Sequence, residues 1–372
     1  MEHPGSTPIS TPTPTTDEIP ARHPLPRPTR LPLYLALAYV VLIVYASLDP
    51  FANWRDLGVS PLAFVDAAWP RYWTSFDLSV NVAAYMPLGF LWALTLRHLP
   101  GRWTPALAAL LLGSLLSLCM EALQTYLPSR VPSNLDLGCN SAGTAIGAVL
   151  AIWNGKLIFR RIGQVQHEVL APIPHAELGL VLVGLWLLTQ LSPETLLFGT
   201  GDLRGVLGLT PAVPYAAPSF FVLETGVIAC NTLVIGLFAR TLVADRSSPH
   251  LVLLALFVLA LAVRTLAAAV LLAPQDALAW LTPGAQLGLL IGGAMLSFML
   301  LLPAPIRIAL AGVALMAGTA LVNLTPPNPY SELALTTWRQ GHFLNFNGLT
   351  RWVASLWPFV ALPYLTVLGR RL

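Results

Sequence analysis

The chain is 372 residues long, with a mean hydropathy of +0.70, 56% hydrophobic residues and only 10% charged residues. Soluble domains contain about 25% charged residues, so this composition excludes an ordinary soluble protein. A single lysine and a formal net charge of +3 exclude a broad basic surface for nucleic acid. The three cysteines lie in apolar segments, which excludes a secreted module framed by disulfides. We therefore expect an all-α fold, a polytopic bundle of transmembrane helices.

Residues 1–30 are rich in proline, threonine and serine and contain few apolar side chains. Such a segment buries too little surface to offset the entropy lost on ordering, so we predict a disordered cytoplasmic tail. We do not interpret it as a signal peptide, because the apolar run begins only after residue 30 and shows no small-residue cleavage site.

Apolar runs long enough to cross a membrane recur along the rest of the chain. A helix needs about 20 such residues to cross ~30 Å of hydrocarbon. The candidate spans are 33–49, 78–97, 104–127, 136–154, 176–191, 219–240, 250–272, 284–302, 306–323 and 350–368. The fifth is short, and the last contains Pro358 and Pro363. We expect a four-helix unit over 31–155, a basic cytoplasmic linker over 156–175 and a second unit of about six helices over 176–372.

The basic residues predict an orientation for these spans. Alternate connections hold thirteen of them: Arg22, Arg27, Arg30, Arg97, Arg102, Lys156, Arg160, Arg161, Arg240, Arg246, Arg307, Arg370 and Arg371. The other connections hold six: Arg55, Arg71, Arg130, Arg204, Arg339 and Arg351. Positive residues favour the cytoplasmic side, so we expect both termini in the cytoplasm and the protein in the bacterial inner membrane.

Polar side chains in the first unit fall at one level. Three helix ends carry a pair spaced three or four residues apart: Asp77 with Asn81, Glu121 with Gln124, and Asp136 with Asn140. Members of such a pair share a helix face. The loop LPSRVPSN adds Arg130 and Ser133. We expect Asp77, Asn81, Glu121, Gln124, Arg130, Asp136 and Asn140 to line a ligand-binding pocket that opens on the outer side.

Structural roles compete with ligand binding at several of these positions. Asp77 and Asp136 stand where helix N-caps stand, and a carboxylate there is stabilised by free N–H groups. Asn81 and Asn140 lie one turn deeper, where an amide can join two helices. Glu121 fits a structural role less well. It lies six residues before Leu127, inside the apolar span, where a charge is costly and suggests function.

A stripe of small residues marks the fourth span. Cys139, Gly143, Gly147 and Ala151 recur every four residues, which favours close helix packing, and we expect them opposite Gly113 and Ser117 of the third span. We give Gly143 and Gly147 a structural role. Gly284, Gly288 and Gly292 form a similar stripe on the eighth span.

Three motif pieces together resemble one known family. They are Asn81 followed by VAAYMPLGF, then Glu121-ALQ-TYLPSR ending at Arg130, then Asp136-LGC-Asn140-SAG-TAIG. In this order on three helices they resemble the VanZ-like family of bacterial membrane proteins, over about residues 35–155. The resemblance implies a four-helix membrane domain. It also relates the chain to a family named for a protein associated with low-level resistance to the glycopeptide teicoplanin.

Two charged residues interrupt the apolar spans of the second unit. Glu224 and Arg264 have opposite sign and similar depth, and either alone is costly in hydrocarbon, so we predict that they form a structural ion pair. The pairs His167–Glu168 and His175–Glu177 lack further ligands at a metal-binding spacing, so we predict no metal site. The chain contains no nucleotide-binding fingerprint or nucleophile elbow, and we expect no cofactor.

Our leading hypothesis is a VanZ-like protein whose outward-facing pocket binds an envelope component, with membrane lipids around it. A lipid-linked saccharide or a glycopeptide-like ligand suits amides beside an arginine, since guanidinium binds phosphate in a bidentate manner. The protein would then serve envelope biogenesis or antibiotic tolerance. The alternative is an enzyme of lipid or polysaccharide metabolism in which Glu121 and Asp136 divide acid and base roles. Transport is a third hypothesis and fits the sequence least well.

Overall fold

The computed structural model describes residues 29–49, 51–69, 74–192, 195–207, 214–271, 274–326 and 345–370. Over these residues the chain is helical, without a strand, and an isolated antiparallel bridge joins Leu170 to Val243. The expected all-α polytopic bundle is confirmed. The tail predicted to be disordered lies, but for its last two residues, outside the described part.

Eleven helices follow one another along the described chain. Their bounds are α1 Leu31–Leu48, α2 Ser75–Thr95, α3 Thr104–Gln124, α4 Asn134–Val169, α5 Ala176–Thr189, α6 Arg204–Leu207, α7 Ala217–Leu242, α8 Pro249–Leu271, α9 Pro283–Met299, α10 Ala304–Leu324 and α11 Asn345–Gly369. We call α1–α4 the N-terminal helix group, and α5 with α7–α11 the C-terminal helix group. Each predicted span corresponds to one of these helices, and the four-residue α6 is additional.

Eight of these helices are long and apolar enough to cross a membrane, so the chain is a multi-pass membrane protein. Of the other three, α5 with 14 residues and α9 with 17 are apolar but shorter, and α6 has four residues. The tenth span is continuous despite two internal prolines, Pro358 and Pro363. Prolines within membrane helices are tolerated because neighbouring helices and local adjustments satisfy the freed carbonyl groups.

Helix α4 is longer than its apolar run. It continues to Val169, through most of the segment that the sequence predicts to be a basic linker. Polar residues such as Gln164 and Gln166 are good helix formers, and the first proline after the span is Pro172. Because proline cannot continue a helix and restricts the residue before it, α4 ends three residues upstream.

Contacts between helix ends show that the helices alternate in direction. At one end, the Glu177 carboxylate at the start of α5 accepts hydrogen bonds from the Thr29 hydroxyl and the Arg30 backbone N–H, just before α1. At the same end, Ala244 N, after α7, donates to Val169 O of α4 over 2.8 Å. We call this the basic end. The other end we call the far end.

The basic end carries most of the positive residues of the described connections: Arg30, Arg97, Arg102, Arg240, Arg246, Arg307 and Arg370. The Arg240 guanidinium forms an ion pair with Asp245 there, and its hydrogen bond holds the pKa of that carboxyl below its usual range. The described chain therefore begins and ends at the same end of the bundle, as the even number of predicted spans requires.

Close backbone contact joins α2 to α4. A Cβ atom on Gly143 would lie against the carbonyl oxygen of Val82, and one on Gly147 against that of Met86. Gly89 of α2 meets the backbone of Thr144 in the same way. The small-residue stripe therefore faces α2, whereas the sequence predicts that it faces α3. Periodicity identifies the face of a helix but not the neighbour that covers it.

Helix α7 is the central helix of the C-terminal helix group. Ile228, Val234 and Phe238 are among its fully buried side chains. The second glycine stripe lets α9 approach α7: Gly284 lies against the Glu224 carboxylate, and Gly288 lies against Ile228. This helix is thus surrounded by protein, whereas the outer faces of α8 and α10 are exposed and apolar, as lipid-facing surfaces are.

Candidate functional site

A hydrogen bond between α2 and α4 forms the centre of the candidate site. The Asn81 side-chain Nδ2 donates to Asp136 Oδ1 over 2.7 Å. The glycine stripe lets these two helices approach closely enough for a short amide to reach a short carboxylate. Both side chains are only partly buried, and both lie at the far end of the bundle.

Glu121 of α3 points toward the same region. Its side chain is 4% exposed, and its Oε2 accepts a hydrogen bond from the backbone N–H of Ser133 over 2.9 Å. Ser133 precedes α4, and its hydroxyl accepts from Leu135 N and Asp136 N. Ser133 is therefore the N-cap of α4, a role that the sequence analysis considered for Asp136.

A third contact lies one turn deeper. Asn140 Nδ2 of α4 donates to the Ser117 hydroxyl of α3 over 2.9 Å, and both side chains are buried. Tyr85 of α2 is also buried, and its hydroxyl lies near Ser117 and Glu121 without a hydrogen bond of standard geometry. The Asn140 Oδ1 atom likewise has no hydrogen-bond partner among the described residues.

These contacts define what we call the polar cluster: Asn81, Tyr85, Ser117, Glu121, Ser133, Asp136 and Asn140. Sequence reasoning did not assign Tyr85 or Ser117 to the site. Tyr85 follows Asn81 by four residues and Ser117 precedes Glu121 by four, so each lies on the face already identified. Extending the helical periodicity by one more turn would have found both.

Two predicted site residues point elsewhere. Gln124 Nε2 donates to Ser47 O over 2.9 Å, and Arg130 Nη2 donates to Ala46 O and Asp49 O over 3.1 and 3.0 Å. Ala46 and Ser47 lie in the last turn of α1 and Asp49 directly follows it, and no helical N–H is available to carbonyl groups at a helix end. Both side chains thus cap α1, and the positive charge of Arg130 suits the negative end of a helix dipole.

Glu121 does not form an ion pair with Arg130. Among the described residues, ion pairs join Arg204 to Asp202 and Arg240 to Asp245, so Glu121 does not pair with Arg130. The side chain of Asp77 lies outside the described part, although its backbone is within α2.

The predicted ion pair between Glu224 and Arg264 does not form. Glu224 on α7 lies against Gly284 and beside Thr282 at the start of α9. Arg264 is 3% exposed, and its guanidinium donates to the carbonyl oxygens of Ser192 and Thr195 after α5. The similar depth and opposite charge of the two residues did not determine which neighbours they contact. Glu224 on α7 faces α9, whereas Arg264 on α8 faces the segment after α5.

No metal centre emerges in the part of the chain that the structure describes, where no three His, Cys, Asp or Glu side chains are grouped to hold an ion. The side chain of His167 lies outside that part. Glu177 accepts hydrogen bonds from Thr29 and Arg30 at the start of α1, and the His175 ring lies beside the Tyr34 hydroxyl.

The chemistry of the polar cluster is that of hydrogen bonding to neutral polar groups. Carboxylates accept, amides both donate and accept, and hydroxyls do both. Hydrogen bonds within a low-dielectric interior are strong, and buried groups without partners favour a ligand or water that satisfies them. Such a set suits a molecule with several hydroxyl or amide groups.

Comparison with known proteins agrees with the motif. Residues 32–159 match the model of the family described as VanZ/LLP1. This range contains α1 but for its first residue, α2, α3 and most of α4, together with the whole polar cluster. The resemblance predicted from the three motif pieces is therefore confirmed. No curated protein and no solved structure matches the chain.

Proposed function

We propose that this chain, whose residues 32–159 are a VanZ/LLP1 segment, binds the headgroup of a lipid-linked saccharide at its polar cluster. The proposal rests on polar side chains from three membrane helices that lie together. Two buried atoms among them, Tyr85 Oη and Asn140 Oδ1, have no hydrogen-bond partner among the described residues. Buried polar groups are nearly always paired, so unpaired ones at a shared site favour a bound polar molecule.

The proposed side of binding is the outer face of the bacterial inner membrane. The far end, which holds the polar cluster, carries few of the positive residues of the described connections, and the basic end carries most. The positive-inside rule then places the basic end in the cytoplasm, with both termini there, and the polar cluster toward the periplasm.

A lipid-linked ligand suits the surroundings of the polar cluster. Leu88, Met120 and Leu127 form an apolar core beside it, between the same helices. A saccharide would bond to the amides and carboxylates, while its lipid chain stays in the membrane that the helices span. A glycopeptide-like compound offers similar hydroxyl and amide groups, and ligand profiling separates the two.

Arg130 lies outside the polar cluster, but we propose that its remaining N–H groups bind the phosphate of the ligand. One of its nitrogens caps α1, and its Nε and Nη1 atoms make no hydrogen bond to described residues. A guanidinium so fixed has N–H groups available for an anion, and phosphate is the anion that links a saccharide to its lipid carrier.

The test compares envelope lipids and glycans in three strains and the parent. One strain lacks the protein, one carries Glu121→Gln, and one carries Glu224→Gln as the matched control, because both glutamates are buried in membrane helices. We expect the deletion and Glu121→Gln strains to accumulate the same saccharide-bearing lipid and the control to resemble the parent. A normal profile in the Glu121→Gln strain, with normal protein abundance, would contradict the proposal.

An enzymatic role has one specific observation in its favour. The Glu121 carboxylate accepts from the Ser133 backbone N–H, and the Asp136 backbone N–H donates to the Ser133 hydroxyl, so these two carboxyl-bearing residues both adjoin Ser133. Carboxyl groups in different environments can divide acid and base roles. This alternative would be supported if membranes formed product from labelled lipid-linked sugars and lost that activity in both Glu121→Gln and Asp136→Asn. Tight binding of the sugars without turnover would support the binding role instead.

A further inference from the structure

A cavity of about 420 Å³ lies between α1, α5 and α11 at the basic end. Its volume is within the range of known ligand pockets, roughly 300–1,000 Å³. Leu178, Val360 and Leu368 supply apolar walls, and Tyr34, His175 and Tyr364 supply the polar atoms. It is remote from the polar cluster, which lies at the far end of the bundle, so it is a separate site.

His175 is a polar residue of the cavity lining and is held by contacts with neighbouring helices. It has a backbone φ of 59°, in the left-handed region that few residues other than glycine adopt. Its carbonyl accepts a hydrogen bond from the Tyr364 hydroxyl of α11 over 3.3 Å. Its Nδ1 lies 3.4 Å from the Tyr34 hydroxyl of α1. The residue therefore joins three helices while its ring stays exposed at the mouth of the cavity.

Two exposed arginines neighbour residues that line the cavity. Arg30 precedes Tyr34 by about one helical turn, and Arg370 follows Val367 by three residues, a spacing that shares a helix face. The Glu177 carboxylate accepts hydrogen bonds from the Thr29 hydroxyl and from the backbone N–H of Arg30. An apolar chamber with arginines next to its lining residues favours one class of molecule, a lipid with an anionic headgroup.

We propose that this cavity binds an anionic phospholipid. One acyl chain lies against the apolar walls of Leu178, Val360 and Leu368, and the phosphate lies at the mouth beside Arg30, His175 and Arg370. Basic residues near a membrane surface attract anionic lipids, and basic pockets between membrane helices bind lipid headgroups. The lipid would fill the space between the N-terminal and C-terminal helix groups.

The experiment measures lipid retained by the full-length protein purified from mixed membranes, by native mass spectrometry with phosphatidylglycerol and phosphatidylcholine as probes. The test variant is Arg30→Gln with Arg370→Gln. The matched control is Arg97→Gln with Arg102→Gln, two exposed arginines at the same end of the bundle but away from the cavity. We expect wild type and control to retain phosphatidylglycerol, and the test variant to bind it about fivefold more weakly per arginine removed.

A second variant tests the cavity itself. Leu178→Trp fills the chamber without changing charge, and we expect it to lower retention of phosphatidylglycerol while the arginine control does not. The proposal would be overturned if phosphatidylglycerol binding weakened equally in the two arginine double variants. It would also be overturned if the wild-type protein retained as much phosphatidylcholine as phosphatidylglycerol. A second copy of the chain or a peptide retained at this site in place of lipid would overturn it as well.

Discussion

The carboxylate of Glu121, inside α3, accepts a hydrogen bond from the backbone N–H of Ser133, the residue that caps α4. One buried side chain therefore holds the start of the following helix in place. The loop that separates them, residues 125–133, carries Arg130, which caps α1. The loop after α3 thus helps to fix two helix ends, the start of α4 and the end of α1, at the far end of the bundle.

This contact predicts different effects for two substitutions of Glu121. Glu121→Gln keeps an oxygen that can accept from Ser133 and should unfold at nearly the wild-type temperature. Glu121→Leu leaves the buried N–H of Ser133 without a partner and should cost about 1–3 kcal/mol of stability. Thermal unfolding in detergent measures both. Equal destabilisation by the two variants would contradict an accepting role for this side chain.

The glycines of α4 predict a second contrast. Gly147→Ala would place a methyl group against the Met86 carbonyl, and Gly138→Ala would place one in open space on the same helix. We expect the first change to cost about 1–3 kcal/mol, as overpacking does. The second should stabilise the helix by roughly 0.5–1 kcal/mol, because alanine loses less conformational entropy than glycine. Unfolding in detergent checks the sign of each change, and similar effects at both positions would argue against the close crossing of α2 and α4.

The caps on α1 predict a third result. Arg130→Ala removes the hydrogen bonds to Ala46 O and Asp49 O and should cost about 1–3 kcal/mol, since these bonds carry a charge. Arg55→Ala, an exposed arginine in the far-end segment after α1, should stay within ~0.5 kcal/mol of wild type. A cysteine pair joining α1 to α3 should cross-link less efficiently in Arg130→Ala. Unchanged cross-linking would show that α1 is held without this cap.

The separate surroundings of Glu224 and Arg264 predict additive effects. Because they share no contact, Glu224→Gln and Arg264→Leu should change stability independently, and the double variant should match their sum within about 0.5 kcal/mol. Arg264→Lys should also be less stable than wild type, because one ammonium group reaches fewer carbonyl oxygens than a guanidinium does. A coupling well above that margin would indicate a direct pair.

The sequence predicted the spans well because a run of apolar side chains is a strong and local signal. Helical spacing fixes depth along a span, so it indicated that Asn81, Glu121, Asp136 and Asn140 share the far end of the bundle, although Asn140 makes its contact one turn deeper than Asp136. It did not predict that Gln124 and Arg130 turn away toward α1. That choice depends on side-chain conformation and on which helix lies alongside, and neither is encoded in spacing.

Prediction of side-chain contacts from the sequence was limited in the same way in the C-terminal helix group. Glu224 and Arg264 were found as charged residues in apolar spans, but the carbonyl groups that Arg264 satisfies belong to the irregular segment after α5. An irregular backbone leaves carbonyl oxygens without helical partners, and a buried guanidinium satisfies several at once. Only a structure shows where such a segment passes.

Helix α1 of the N-terminal helix group contacts the C-terminal helix group at both of its ends. Near its start it lies beside α5, through the bonds to Glu177 and His175, and near its end Tyr45 lies against Gly348 of α11. Gln124 of α3 and Arg130 of the loop after α3 meanwhile hold its last turn by hydrogen bonds. Any displacement of α1 must therefore also break contacts with α5 and α11, so residues beyond 159 restrain a helix that lies within the range matched by VanZ/LLP1.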